Sequence, residues 1–186
     1  MDKTLIEEML AAGRGTFALL MGQRNAPEFF DLGTRGLVGS LAAFVLASGL
    51  NALLPSFMGH AGEGPPAWQA LIVVGALYVL QISFGAVALR QFGRLDGLVP
   101  YLVASNWATF FATILSLILG LAGFDLSMVL LALVVGVLVI EINIGRLIVT
   151  LTIPQIAMFL IAKLVGGMVG LMLVGTLFPP ALPVSP

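Results

Sequence analysis

The chain has 186 residues, 60% of them hydrophobic and only 9% charged, with a mean hydropathy of +1.12. Soluble domains carry about 25% charged residues, so this composition belongs in lipid. Eight basic against nine acidic residues, a net charge of −1, leave no electrostatic footprint for nucleic acid, and the absence of cysteine excludes disulfides, thiolate metal sites, a cysteine nucleophile and thioester or thioether lipid anchors.

The opening stretch, MDKTLIEEMLAAGRG, mixes acids with bases and lacks a continuous apolar run, so it reads as a retained N terminus and not a cleaved signal. Residues 4–21 predict a short amphipathic helix at the cytoplasmic interface, with Leu5, Ile6, Met9, Leu10, Phe17, Leu20 and Met21 on one face and Gly13 and Gly15 weakening its middle. Such a helix either docks a partner along the interface or packs under a helical bundle. After Pro27, the segment EFFDLG predicts a short turn that brings Phe29 and Phe30 to the membrane before Arg35 anchors the first span.

A helix needs about 20 mostly apolar residues to cross a hydrocarbon core of about 30 Å. Five segments qualify: 36–58, 67–89, 100–122, 126–149 and 155–178. The predicted fold is therefore an all-α polytopic bundle of five spans. Residues 1–34 form an interfacial N-terminal region, 35–179 the membrane domain and 180–186 a short exported tail. Pro100 suits the first turn of the third span, Gly59, Gly62, Gly64, Pro65 and Pro66 break the first connection, and Pro154 closes the last cytoplasmic turn. Trp68 and Tyr101 stand where interfacial aromatics are expected.

Lys3, Arg14, Arg24 and Arg35 precede the first span, Arg90 and Arg94 lie in the second connection, and Arg146 and Lys163 flank the fourth. The other connections and the tail carry no Lys or Arg, so all basic residues fall on one side. This predicts the cytoplasmic membrane as location, with a cytoplasmic N terminus and an exported C terminus.

Two ionisable residues lie within spans, Glu141 and Lys163, each about 12 Å from the cytoplasmic end of its helix. They belong to neighbouring antiparallel helices, which makes an ion pair plausible. Lys163 leans toward cytoplasmic water and could snorkel, whereas Glu141 leans deeper. Lys163, Gly166, Gly167 and Gly170 share one helical face, and Glu141 shares another with Gly145, so both charges sit on faces suited to close helix packing and are expected in the bundle interior. Gln81 and Asn106 fall at similar depth and, with Ser83, Ser105 and Asn143, predict a polar layer in the cytoplasmic half. That layer is either a solute or proton path or a set of interhelical hydrogen bonds that fix register. Only Ser48, Asn51, Thr113 and Ser116 continue it outward.

His60, the only histidine, lies near Glu63 in the first exported loop, too few ligands for a metal. The sequence has no HExxH, GxSxG, P-loop or GxGxxG and only one buried acid, so no enzyme, metal or cofactor is expected. Gly93-Arg94-Leu95 before Pro100 and Gly145-Arg146-Leu147 before Pro154 form a faint repeat across the two cytoplasmic turns.

A short cytoplasmic N-terminal region, a proline followed by a Phe/Asp-containing lead-in (Pro27-Glu28-Phe29-Phe30-Asp31), and five spans with an exported C terminus resemble the bacterial Yip1 family in layout. The resemblance implies a non-enzymatic membrane protein surrounded by lipid that acts by helix-mediated association with itself or a membrane partner. The alternative is a small transporter or permease subunit with its polar centre at Glu141 and Lys163.

Overall fold

In lipid every backbone N–H and C=O must find a partner within the chain, and a run of about 20 apolar residues achieves this alone only as a helix. The computed structural model describes residues 5–57 and 66–177 and is all-helical across them. Helix α1 spans Leu5–Leu20, α2 Thr34–Phe57, α3 Ala67–Gln91, α4 Leu98–Leu121, α5 Leu126–Asn143 and α6 Ile153–Leu177. Helices α2 to α6 are long and apolar enough to cross a membrane, and they follow the five predicted spans to within a few residues. Arg90 belongs to the last turn of α3 and not to the connection after it. His60 and Glu63, and the tail 180–186, lie outside the described residues.

Three helices end in the same way. Gly22, Gly93 and Gly123 adopt φ of 65°, 67° and 80° after α1, α3 and α4. The next N–H in each case turns back to a carbonyl of the last turn: Gln23 to Ala18, Arg94 to Leu89 and Phe124 to Leu119. Glycine is favoured there because it has no Cβ to clash in the left-handed conformation. Helix α5 ends differently. It widens into a π turn over Ile144–Ile148, with the Leu151 N–H reaching the Gly145 carbonyl at 2.8 Å, and Thr150 takes the left-handed conformation (φ 57°). The two Gly-Arg-Leu turns are therefore not equivalent: Gly93 stops a helix, whereas Gly145 lies within a helical turn.

Helix α3 packs along α6, and α2 along α4. Helix α5 lies on α4, and α1 runs across α4 and α5. Helices α5 and α6, although joined by a short turn, scarcely meet along their lengths. The α3–α6 seam is close because its glycines admit backbone: a Cβ at Gly166 would stand 2.8 Å from the Leu80 carbonyl oxygen, and one at Gly170 would stand 2.7 Å from Leu77 Cδ2.

Helix α1 packs through a face other than the one its large residues suggest. Ala12, Gly15, Thr16 and Leu19 are buried, while Ile6, Leu10, Phe17 and Met21 are exposed. Close approach to other helices favours small residues, and lipid accepts the large ones. The same logic explains why Gly13 and Gly15 do not break the helix. A Cβ at Gly15 would come 2.6 Å from the Phe30 ring, and one at Gly13 would press on Phe111 at 3.2 Å. Phe30 is thus buried against α1, contrary to the expectation that the turn after Pro27 brings it to the membrane. The Asn143 amide donates to the Leu19 carbonyl at 2.8 Å and Arg146 donates to the Gly22 carbonyl at 3.4 Å, fastening the end of α1 to that of α5.

Candidate functional site

The Glu141 carboxylate projects from the last turn of α5 into the space where α4, α5 and α6 converge. Oε2 accepts from the Tyr101 hydroxyl at 2.7 Å and from Lys163 Nζ at 2.9 Å. Oε1 accepts from the Ser105 hydroxyl at 2.8 Å. Lys163 also donates to the Tyr101 oxygen, and its ammonium stands 4.8 Å from the centroid of the Tyr101 ring. The Tyr101 ring meets Phe159 edge to face at 4.9 Å. With the Lys163 and Glu141 side chains 16% and 13% exposed, both charges are interior, and the lysine points to its partner and does not snorkel. Hydrogen bonds to a charged group contribute about 1.5–3 kcal/mol each, and three donors on one carboxylate are what make a buried charge tolerable.

Asn106 lies one residue beyond Ser105, about 100° further round α4, and faces α2 and α3. It accepts from the Tyr78 hydroxyl at 2.8 Å and donates to Ser40 Oγ at 3.2 Å. Tyr78 in turn stacks on Phe44, ring centroids 4.1 Å apart. Further along the bundle, toward the C-terminal end of α2, the Asn51 amide donates to Thr113 Oγ1 at 3.1 Å. These side chains tie α2, α3 and α4 together, as the register reading expects.

A cavity of about 360 Å³ separates the two clusters. All five spans wall it: Phe44 from α2, Leu77, Tyr78 and Gln81 from α3, Tyr101, Ser105 and Thr109 from α4, Val137 and Glu141 from α5, and Lys163 from α6. Gln81, Glu141 and Lys163 also line a wider space of about 740 Å³ between α5 and α6, whose other walls are leucine, isoleucine and valine.

The structure brings Glu141, Lys163 and Gln81 to one place and sets Asn106 beside it. Ser83 is not in the layer. It is exposed and bonds only to the Val79 carbonyl of its own helix, because two residues from Gln81 turn it about 200° away. Asn143, two residues from Glu141, is turned away for the same reason and holds α1. Gly166 and Gly170 face α3, Gly167 lies against the Gln81 side chain and Gly145 against Ile156, so all four glycines serve packing within the chain. Tyr101 is 2% exposed and central to the site, not an interfacial anchor. Its spacing of four from Ser105 puts both hydroxyls on one helical face, the signal that could have found it. Trp68, 59% exposed, does face outward.

No group of three or more His, Asp or Glu side chains suited to a metal occurs among the described residues. In comparisons with known proteins, no family model, no curated protein and no solved structure matches the chain.

Proposed function

We propose that this chain is a non-enzymatic multi-pass protein of the cytoplasmic membrane that works as a small transporter or permease subunit, with its polar centre at Glu141 and Lys163. The observation that carries the reading is the 360 Å³ cavity, to which every span contributes a wall and on which the two intramembrane charges open. Purely structural hydrogen bonds need no such space, because interiors otherwise pack with few voids larger than a water molecule. The carboxylate meets three donors, which suits holding charge in place better than cycling a proton in catalysis. Arg94, Arg146 and the turn after α1 gather at one end of the bundle, which supports a cytoplasmic N terminus and an exported C terminus.

Water access is the test, and the cysteine-free sequence gives a clean background. Thr109→Cys lies on the cavity wall, and Val79→Cys on the lipid-facing side of α3. A membrane-impermeant, charged thiol reagent is expected to modify Thr109→Cys in membrane vesicles and to spare Val79→Cys. If Thr109→Cys reacts only with a small permeant maleimide, the cavity is dry and the transport reading fails.

A second reading, Yip1-like action by association with itself or a membrane partner, is favoured by the outward face of α1, where Ile6, Leu10, Phe17 and Met21 stand exposed. It predicts that a partner co-purified in mild detergent is lost with Phe17→Ser.

A further inference from the structure

The space between α5 and α6 gives the polar centre a second opening, and this one faces lipid. Its walls are Leu133, Val134 and Leu138 on α5 and Leu160 and Leu164 on α6, with Gln81, Glu141 and Lys163 at its base. Val134 and Leu164 are each 65% exposed on the outer, lipid-facing side. At about 740 Å³ it lies within the roughly 300–1,000 Å³ range of small-molecule pockets.

The base has unused hydrogen-bonding capacity. Lys163 directs donors at Glu141 and Tyr101, and an ammonium has three. The Gln81 amide has no hydrogen-bond partner among the described residues and borders both cavities. Water in the five-walled cavity reaches one side of this amide; on the α5–α6 side, which opens to lipid, a donor left unpaired is costly, and a polar group entering from the bilayer satisfies it. Glu141 and Lys163 cancel each other's charge. An anionic head would therefore meet Glu141 and a cationic one Lys163, whereas a neutral acceptor meets the free donors of Lys163 and Gln81 without opposition.

Depth points the same way. Glu141 lies seven residues, about 10 Å, from the end of the π turn, below the level of charged phospholipid headgroups. The cleft then extends to Leu130, about 16 Å further along α5, close to half of a hydrocarbon core of about 30 Å.

We propose that the α5–α6 cleft admits an uncharged, single-chain amphiphile from the bilayer, its chain along the leucine walls and its carbonyl or hydroxyl head on Lys163 and Gln81. The inference rests on reading the Glu141–Lys163 centre as a binding site, and it names the ligand class. Its source is the bilayer and not the aqueous phase, because the mouth is apolar on both sides.

The experiment uses the full chain in phosphatidylcholine vesicles with three photoreactive probes of equal chain length, each with a mid-chain diazirine: a fatty alcohol, a fatty acid and an alkyl trimethylammonium. Crosslinks are mapped by mass spectrometry. The alcohol is expected to label α5 and α6 at the cleft at least several-fold more than either charged probe. Gln81→Leu should abolish that preference, and Val134→Trp, at a position 65% exposed on the lipid-facing side, should block labelling of the cleft while leaving the outer face of α2 labelled. No labelling of the cleft, equal labelling by all three probes, a preference for a charged probe, or a preference that survives Gln81→Leu overturns the proposal. The outcome is separable from the test of transport: a water-accessible Thr109→Cys with no alcohol preference removes the amphiphile alone, and a dry cavity with a labelled cleft removes transport alone.

Discussion

Helix α6 meets α3 and α5 by opposite means. Toward α3 it presents Gly166 and Gly170, and backbone comes within reach of backbone along a continuous seam. Toward α5 it presents Lys163, which crosses a gap to Glu141, and little else touches. The first seam rests on dispersion and close fit, which fall off within an ångström. The second rests on one charged pair with a space around it. A bundle built this way holds one side of α6 fixed and leaves the other able to admit a guest.

Breaking the pair is expected to have the largest effect. Lys163→Met leaves Glu141 charged and buried with two hydroxyl donors, and should lower stability by about 3–5 kcal/mol, the usual loss on removing one partner of a buried ion pair. Glu141→Gln together with Lys163→Met removes both charges and should be better tolerated than either single change. Thermal unfolding in detergent of the three variants checks this; a double mutant less stable than both singles would contradict an ion pair. Gly166→Ala attacks the other seam. Its methyl group meets the Leu80 carbonyl at 2.8 Å, so a loss of about 1–3 kcal/mol is expected, whereas Gly175→Ala, with open space around it, should be silent. Tyr101→Phe keeps the ring on Phe159 and deletes the hydroxyl between Lys163 and Glu141, a loss of about 1.5–3 kcal/mol.

A smaller effect is expected at the turn that joins α5 to α6. Arg94 donates to the Val149 carbonyl at 2.6 Å and also bonds the Thr150 side chain. Thr150→Gly relieves a left-handed β-branched residue but gives up the hydroxyl contact with Arg94, so the two effects offset and stability should change by less than about 1 kcal/mol. A larger loss would mean that the Arg94 contact with the threonine hydroxyl dominates the turn.

The spans, the Glu141–Lys163 pairing and the glycine face of α6 were legible in the sequence because each depends on length or helical spacing, which local residues determine. Helical phase, applied more strictly, would also have removed Ser83 and Asn143 from the polar layer, since two residues turn a side chain to the opposite side. Tyr101 was hidden by its position. Near the end of a span a tyrosine reads as an interfacial anchor, and only the convergence of α4, α5 and α6 places its hydroxyl between the two charges. The packing face of α1 was hidden for a related reason: hydrophobicity marks its large residues, but in a bilayer these can face lipid while the small ones face protein. The gap between α5 and α6 had no local signal, because it is a property of how two helices diverge after a shared turn.

The contrast between the two seams of α6 is tested most directly by paired spin labels on the cysteine-free chain. Labels at Met172 on α6 and Leu71 on α3 report the glycine seam, and labels at Met172 and Met128 on α5 report the open one. Pulsed distance measurements in lipid vesicles should give a narrow distribution for the first pair and a broad or bimodal one for the second, which narrows when the fatty alcohol is added. Two equally narrow distributions, unchanged by the alcohol, would contradict the account.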